Sequence, residues 1–136
     1  MIVVDASAVV DFVARQSMNR ELARRILDEH DLHAPHLLDV EVAQALRGLV
    51  NRNEISSDRA SDARIDAADL RIVRYPHLPL LGRAWELRNS LSVYDGVYVA
   101  LAELLQAPLV TCDAHLARAP GHAAEIELFS PSELGS

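Results

Sequence analysis

The run Ser92-Val93-Tyr94-Asp95-Gly96-Val97-Tyr98-Val99-Ala100-Leu101-Ala102-Glu103, with Pro108-Leu109-Val110-Thr111-Cys112-Asp113 after it, constrains the fold more than any other stretch. Ser92 is placed to cap a helix, and Asp95 stands three positions on, as in a capping box. Apolar residues then recur at Val97, Leu101, Leu104 and Leu105 with a helical period. Gln106-Ala107-Pro108 ends that helix, because the residue before a proline resists the α region. Leu109-Val110-Thr111 is a short apolar β-type run with Cys112-Asp113 at its end. One carboxylate therefore sits at a helix N-terminus and another at a strand C-terminus, one αβ unit apart. Ligands of open parallel sheets bind beyond the carboxyl ends of the strands, so more acids converging there would make a site.

Ile2-Val3-Val4 has the continuous apolar character of a buried central strand. Asp5-Ala6-Ser7-Ala8 follows and leads into a helix, with Asp5 and Ser7 serving either as caps or as a carboxylate and a hydroxyl at the strand's end. A second helix spans residues 18 to 29, with Leu22, Ile26 and Leu27 inward. Leu32-His33-Ala34 is a weak strand that Pro35 breaks. His30, His33 and His36 do not share a helical face and have no cysteine beside them, so a loop is expected there rather than a zinc site. A long helix from His36 to Arg52 carries the stripe Leu38, Val42, Ala45, Leu46 and Leu49, and Glu41 falls at its edge. Glu41 is either a surface glutamate near a helix start or a carboxylate aimed over the sheet from the flank.

Ser56-Ser57-Asp58 caps a polar helix to about Leu70, and Leu70 to Tyr75 reads as an edge strand ended by Pro76. Pro79 opens a helix to about Asn89, with Trp85 expected in the core and Arg83 and Arg88 facing either the site or solvent. Ala114-His115-Leu116-Ala117-Arg118 is a short helix for which Asp113 is a natural cap, Glu125 to Phe129 a last edge strand, and Ser130 to Ser136 a loose tail.

The chain of 136 residues is long enough for one domain, residues 1–136, with a full core. No apolar run reaches the roughly 20 residues that span a bilayer, and Asp5 interrupts the first apolar stretch, so neither a membrane segment nor a signal peptide is expected. One cysteine excludes an internal disulfide and suits a cytoplasmic location. A net charge of −7 argues against nucleic-acid binding through bulk charge, though a divalent cation in an acidic site supplies positive charge locally. All 13 basic residues are arginine. Without lysine, the chain lacks a group that a receiver domain needs beside its phosphorylated aspartate, and an aspartate-nucleophile phosphatase would in addition want an acid where Ser7 stands.

Taken singly, Asp5, Asp95 and Asp113 pass as caps and Glu41 as surface charge. Jointly they shift the balance, because strand–helix–strand connections put the ends that carry Asp5 and Asp113 on one edge. Geometry alone leaves open how the Asp95 helix start reaches that edge. The start Ile2 to Ala8, the acid Glu41, the stretch Trp85 to Ala102, and Leu109 to Asp113 together resemble the PIN-domain ribonucleases, and more narrowly the VapC toxins of toxin–antitoxin pairs, over nearly the whole chain.

The resemblance implies a three-layer αβα fold with a short, mainly parallel sheet of about five strands. It implies a pocket in which Asp5, Glu41, Asp95 and Asp113 hold Mg²⁺ or Mn²⁺, with the Ser7 and Thr111 hydroxyls beside them. No second acid follows closely on Asp113, where some members carry one. The implied activity is endonucleolytic hydrolysis of RNA, with a VapB-type antitoxin and a homodimer as partners. A non-catalytic module that binds a metal or a partner's arginine in the same acidic pocket is the alternative.

Overall fold

In the computed structural model, residues 1–14 and 19–130 are described. Ile2–Val4 forms β1, fully buried as its unbroken apolar run requires. It leads into α1 (Ala6–Ala14), α2 (Arg20–Asp28) and β2 (Leu32–Pro35). Then come α3 (Leu37–Asn51), α4 (Ser57–Asp69), β3 (Ile72–Tyr75), α5 (Leu78–Glu86) and α6 (Val93–Leu105). The chain closes with β4 (Leu109–Thr111), α7 (Ala114–Arg118) and β5 (Ile126–Leu128). The Ser130 to Ser136 tail lies outside the described residues beyond Ser130, as does the start of the second helix at Met18.

All strand pairs are parallel, in the order β3-β2-β1-β4-β5. The expected three-layer α/β fold is therefore present. Helices α1, α3 and α4 pack on one another, while α6 crosses β1, β2 and β4 and carries α5 on its outer side. Strand order turns from leftward to rightward between β1 and β4, and a doubly wound sheet opens its crevice at such a point. Asp5 follows β1 and Asp113 follows β4, so both end up at the mouth of that crevice.

Caps fix the element ends. Asn19, Ser56 and Ser92 each accept a backbone N–H from three residues on, starting α2, α4 and α6. Helix α6 stops because Gln106 adopts a left-handed conformation at φ 51°, two residues before Pro108 could act.

Several expectations need correcting. Pro35 is the last residue of β2 rather than a break before a loop, and its missing N–H costs the ladder nothing at a strand end. His33 is buried within β2, where its Nε2 lies 2.6 Å from Asp31 and its Nδ1 2.7 Å from the Tyr75 hydroxyl. Trp85 is not core: it is 60% exposed, with the Arg88 guanidinium 4.6 Å above its ring. Leu27 and Leu104 also face outward. Arg83 reaches neither the crevice nor open solvent alone, since it bonds Glu103 through two nitrogens and Glu86 through a third.

Helices α5 and α6 approach closely at Gly96. A Cβ there would stand 3.1 Å from both Cα and Cβ of Ala84, and a backbone contact cannot swing aside. Gly96→Val is expected to destabilise the fold by about 2 kcal/mol through this overpacking, read as a lower urea midpoint with an unchanged slope. An unaltered midpoint would mean that the two helices separate freely.

Candidate active site

Four elements deliver the acids. Asp5 closes β1 and caps α1, its Oδ1 accepting from the Ala8 N–H at 3.0 Å. Glu41 lies in the second turn of α3, Asp95 in the first turn of α6, and Asp113 between β4 and α7. Asp113 is also a working cap, accepting from the N–H groups of His115 and Leu116. Capping thus fixes the carboxylates of Asp5 and Asp113 at the crevice, whereas α6 is capped by Ser92 and not by Asp95.

Asp5 is the most constrained. The Ser7 hydroxyl donates to its Oδ1 at 2.7 Å and the Thr111 hydroxyl donates to its Oδ2. Ser7 in turn accepts from the Cys112 N–H at 2.9 Å, and Thr111 accepts from the Asp113 N–H at 2.9 Å. The two hydroxyls, 3.3 Å apart, therefore tie the ends of β1 and β4 to one carboxylate. Glu41 is held differently. The hydroxyl of Tyr98, on α6, donates to its Oε1 at 2.6 Å. Tyr98 stands three residues after Asp95 and so shares its face of the helix, a spacing that the sequence displayed but that a run of apolar neighbours disguised.

The acids also act on one another's charge. Burial, with the Asp95 charge adding to it, pushes the Asp5 carboxyl up to about 6 against the hydrogen bonds that oppose the rise. Burial and the same Asp95 charge raise Glu41. Asp95 is itself raised by burial and by Asp113, with the Ser92 hydroxyl and then His115 pulling the other way. The Tyr98 hydroxyl is driven well above its ordinary value by burial, by its bond to Glu41 and by the surrounding acids, so it stays a donor. The Asp95 charge thus reaches Asp5 and Glu41, and the Asp113 charge reaches Asp95.

Elsewhere the acids find arginines: Glu127 has Arg25, Asp39 has Arg74, Glu103 has Arg83 and Glu54 has Arg52. Among the described residues none of Asp5, Glu41, Asp95 or Asp113 has such a partner. An all-oxygen, all-anionic donor set lacking a protein cation suits a hard divalent ion such as Mg²⁺. Among the described residues no three His, Cys, Asp or Glu side chains come together as a metal-binding group. Beside the acids, a groove of about 360 Å³ opens between α1 and α3, from Ser7 and Cys112 past Gln44 to Arg52. No helix of the described residues is long and apolar enough to cross a membrane.

Comparison with known proteins gives the family. The PIN domain family model matches residues 2–122. Ribonuclease VapC1 of Mycobacterium tuberculosis is 48% identical over 128 residues, covering 93% of this chain and 96% of its own. Ribonuclease VapC12 of the same organism is 44% identical over 130 residues, covering 96% of this chain and 100% of its own. The crystal structure of PAE2754 from Pyrobaculum aerophilum superposes with a TM-score of 0.66 at 25% identity, over 92% of this chain and 81% of that one. The chain is a member of the PIN-domain family, of the VapC type.

Proposed function

We propose that the protein is a metal-dependent endoribonuclease, the toxin of a VapBC-type toxin–antitoxin module. It hydrolyses phosphodiester bonds of a structured RNA, such as tRNA or rRNA, and so inhibits translation until a VapB-type antitoxin neutralises it. The observation that carries the proposal is that four elements bring Asp5, Glu41, Asp95 and Asp113 to the crevice end of the sheet, none paired with an arginine among the described residues. The full-length likeness to two ribonucleases supports it.

Asp5, Asp95, Asp113 and Glu41 would hold Mg²⁺, or Mn²⁺ in its place. The ion, when bound, would lower the pKa of a water and polarise the scissile phosphate. The chain's own groups do the rest. Ser7 and Thr111 fix the Asp5 carboxylate by donating to both its oxygens. Glu41, half-buried and raised, is suited to take a proton from an attacking water, because a base works best with its pKa moved toward the working pH. An acidic pocket repels RNA, so arginines at the rim must offset it. Arg52 is placed for this, since it lines the groove that opens at Ser7. The same acids would accept a guanidinium from an antitoxin, and a homodimer belongs to this reading as well.

The test is cleavage of total cellular RNA by the antitoxin-free protein in Mg²⁺, in Mn²⁺ and in EDTA. Discrete fragments are expected in either metal and none in EDTA, with mapped ends identifying the target. Folded protein that binds metal yet leaves RNA from two different sources intact would transfer the acids to the non-catalytic binding module.

A further inference from the structure

We infer that Tyr98 is the positioning residue for Glu41: its buried hydroxyl fixes one carboxylate oxygen and leaves the other free for the bound cation or the attacking water. The inference rests on the reading of the acids as a metal-dependent nuclease site.

Tyr98 is 1% exposed and ranks among the largest fully buried side chains of the protein. Val97, Val99, Leu101 and Val4 are buried with it in the same core. Phenylalanine would fill that volume without importing a polar atom, and a buried hydroxyl without a partner is costly. The phenol has one partner, Glu41 Oε1 at 2.6 Å, 57 residues away in the chain. Glu41 Oε2 accepts no hydrogen bond among the described residues.

A glutamate has three side-chain torsions, and ordering it at each turnover would cost rotamer entropy. The phenol hydrogen bond removes that freedom beforehand. The same helix face presents Asp95 directly and Glu41 through Tyr98, so α6 sets two of the four acids by one placement. Asp5 is served likewise by Ser7 and Thr111. Outer hydrogen-bond partners of metal ligands change metal affinity or activity by roughly 10–100-fold when removed.

The experiment compares wild type, Tyr98→Phe, Glu41→Gln and the double variant. It measures kcat and KM for RNA cleavage, and Mn²⁺ affinity of the metal-free proteins from the paramagnetic resonance signal of unbound Mn²⁺. Tyr98→Phe is expected to lose about tenfold in kcat with KM unchanged and to bind Mn²⁺ several-fold more weakly. Adding it to Glu41→Gln should weaken Mn²⁺ binding no further. Tyr98→Phe with wild-type cleavage and affinity would overturn the inference. So would a loss of equal size in the Glu41→Gln background, because the phenol would then act through the fold. A wild type that cleaves no RNA sinks the nuclease reading alone, since the Mn²⁺ titrations still decide Tyr98: weaker binding that depends on Glu41 upholds its role, and unchanged binding refutes it.

Discussion

RNA cleavage by an Asp95→Asn protein is expected to fall roughly a thousandfold, about 4 kcal/mol of transition-state stabilisation, with the fold intact. Asp95 is the acid whose charge adds to the burial that raises Asp5 and Glu41, and it is itself raised by burial and by Asp113, so it lies within electrostatic reach of the other three acids. Asparagine keeps its size, and the Ser92 cap on the backbone N–H of residue 95 does not depend on the charge of that side chain. What is lost, on the proposed reading, is one anionic oxygen donor and a charge that would draw a divalent cation in.

Asp95 also gains something from the N-terminus of α6, typically about 0.3–1 kcal/mol, but burial and Asp113 overcome it, since the net displacement of its pKa is upward. The variant should therefore unfold at the same or a higher urea concentration than wild type at neutral pH. Initial rates in Mg²⁺ with parallel urea titrations check both halves. More than a tenth of wild-type cleavage in a folded Asp95→Asn protein would remove Asp95 from the machinery.

Which parts of this site were legible in the sequence follows from what each part depends on. Asp5, Asp95 and Asp113 announce themselves because local signals surround them: a β-branched run that ends, a serine three positions before, a short helix that follows. Those signals survive folding unchanged, as the caps of α1, α6 and α7 demonstrate. The problem of bringing the α6 start to the strand ends was not soluble locally. The connection supplies the answer: α6 turns through residues 106–108 straight into β4 and packs on it, so it runs back along the sheet and its first turn lies at the strands' carboxyl edge.

Periodicity failed where burial is decided by a third element. Trp85, Leu27 and Leu104 satisfy a helical spacing, yet α5 covers only one side of α6 and nothing described covers the outer face of α5 at Trp85. Tyr98 was missed for the opposite reason. Its neighbours are all apolar and its ring is core, so only the contact with Glu41, made across 57 residues of chain, shows that the hydroxyl has a task. His33 was hidden by Pro35, which tolerates a strand's last position when its neighbour asks no N–H of it.

Replacing Asp5 by asparagine is expected to stabilise the metal-free protein at pH 7.5 while removing the activity. In the folded chain the Asp5 carboxyl titrates at about 6, chiefly because it is buried, whereas in the unfolded chain it returns to about 3.9. Between those values the folded protein holds a proton that the unfolded one has released. Stability therefore falls as pH rises through that window. Above it, the ionised carboxylate costs the fold about 3 kcal/mol relative to a neutral group.

Asparagine is neutral throughout and has nearly the same shape, but it offers one acceptor oxygen where the carboxylate offers two. Thr111 and Ser7 both donate now, so one of those bonds must reverse or break, offsetting about 1 kcal/mol of the gain. The variant should thus be more stable by about 2 kcal/mol at pH 7.5, with the advantage shrinking below pH 6 and gone by pH 4. The groups facing Asp5 do not mask this slope. Ser7 and Thr111 do not titrate there, and Asp95 and Glu41, both raised, strengthen it in the same direction. Glu29 and Glu103, held low by the N-terminus and by Arg83, act oppositely but equally in both proteins.

Urea unfolding in EDTA at pH 4, 6 and 7.5 measures the difference, and a gap independent of pH would refute the buried-charge account. Mg²⁺ should then reverse the ranking, since a ligand that binds only the folded state raises its stability by RT ln(1 + [L]/Kd). Saturating Mg²⁺ ought to lift the wild-type midpoint toward or above that of Asp5→Asn and leave the variant nearly unmoved. The same anionic oxygens that weaken the metal-free fold are, on this account, the ones that make it a site.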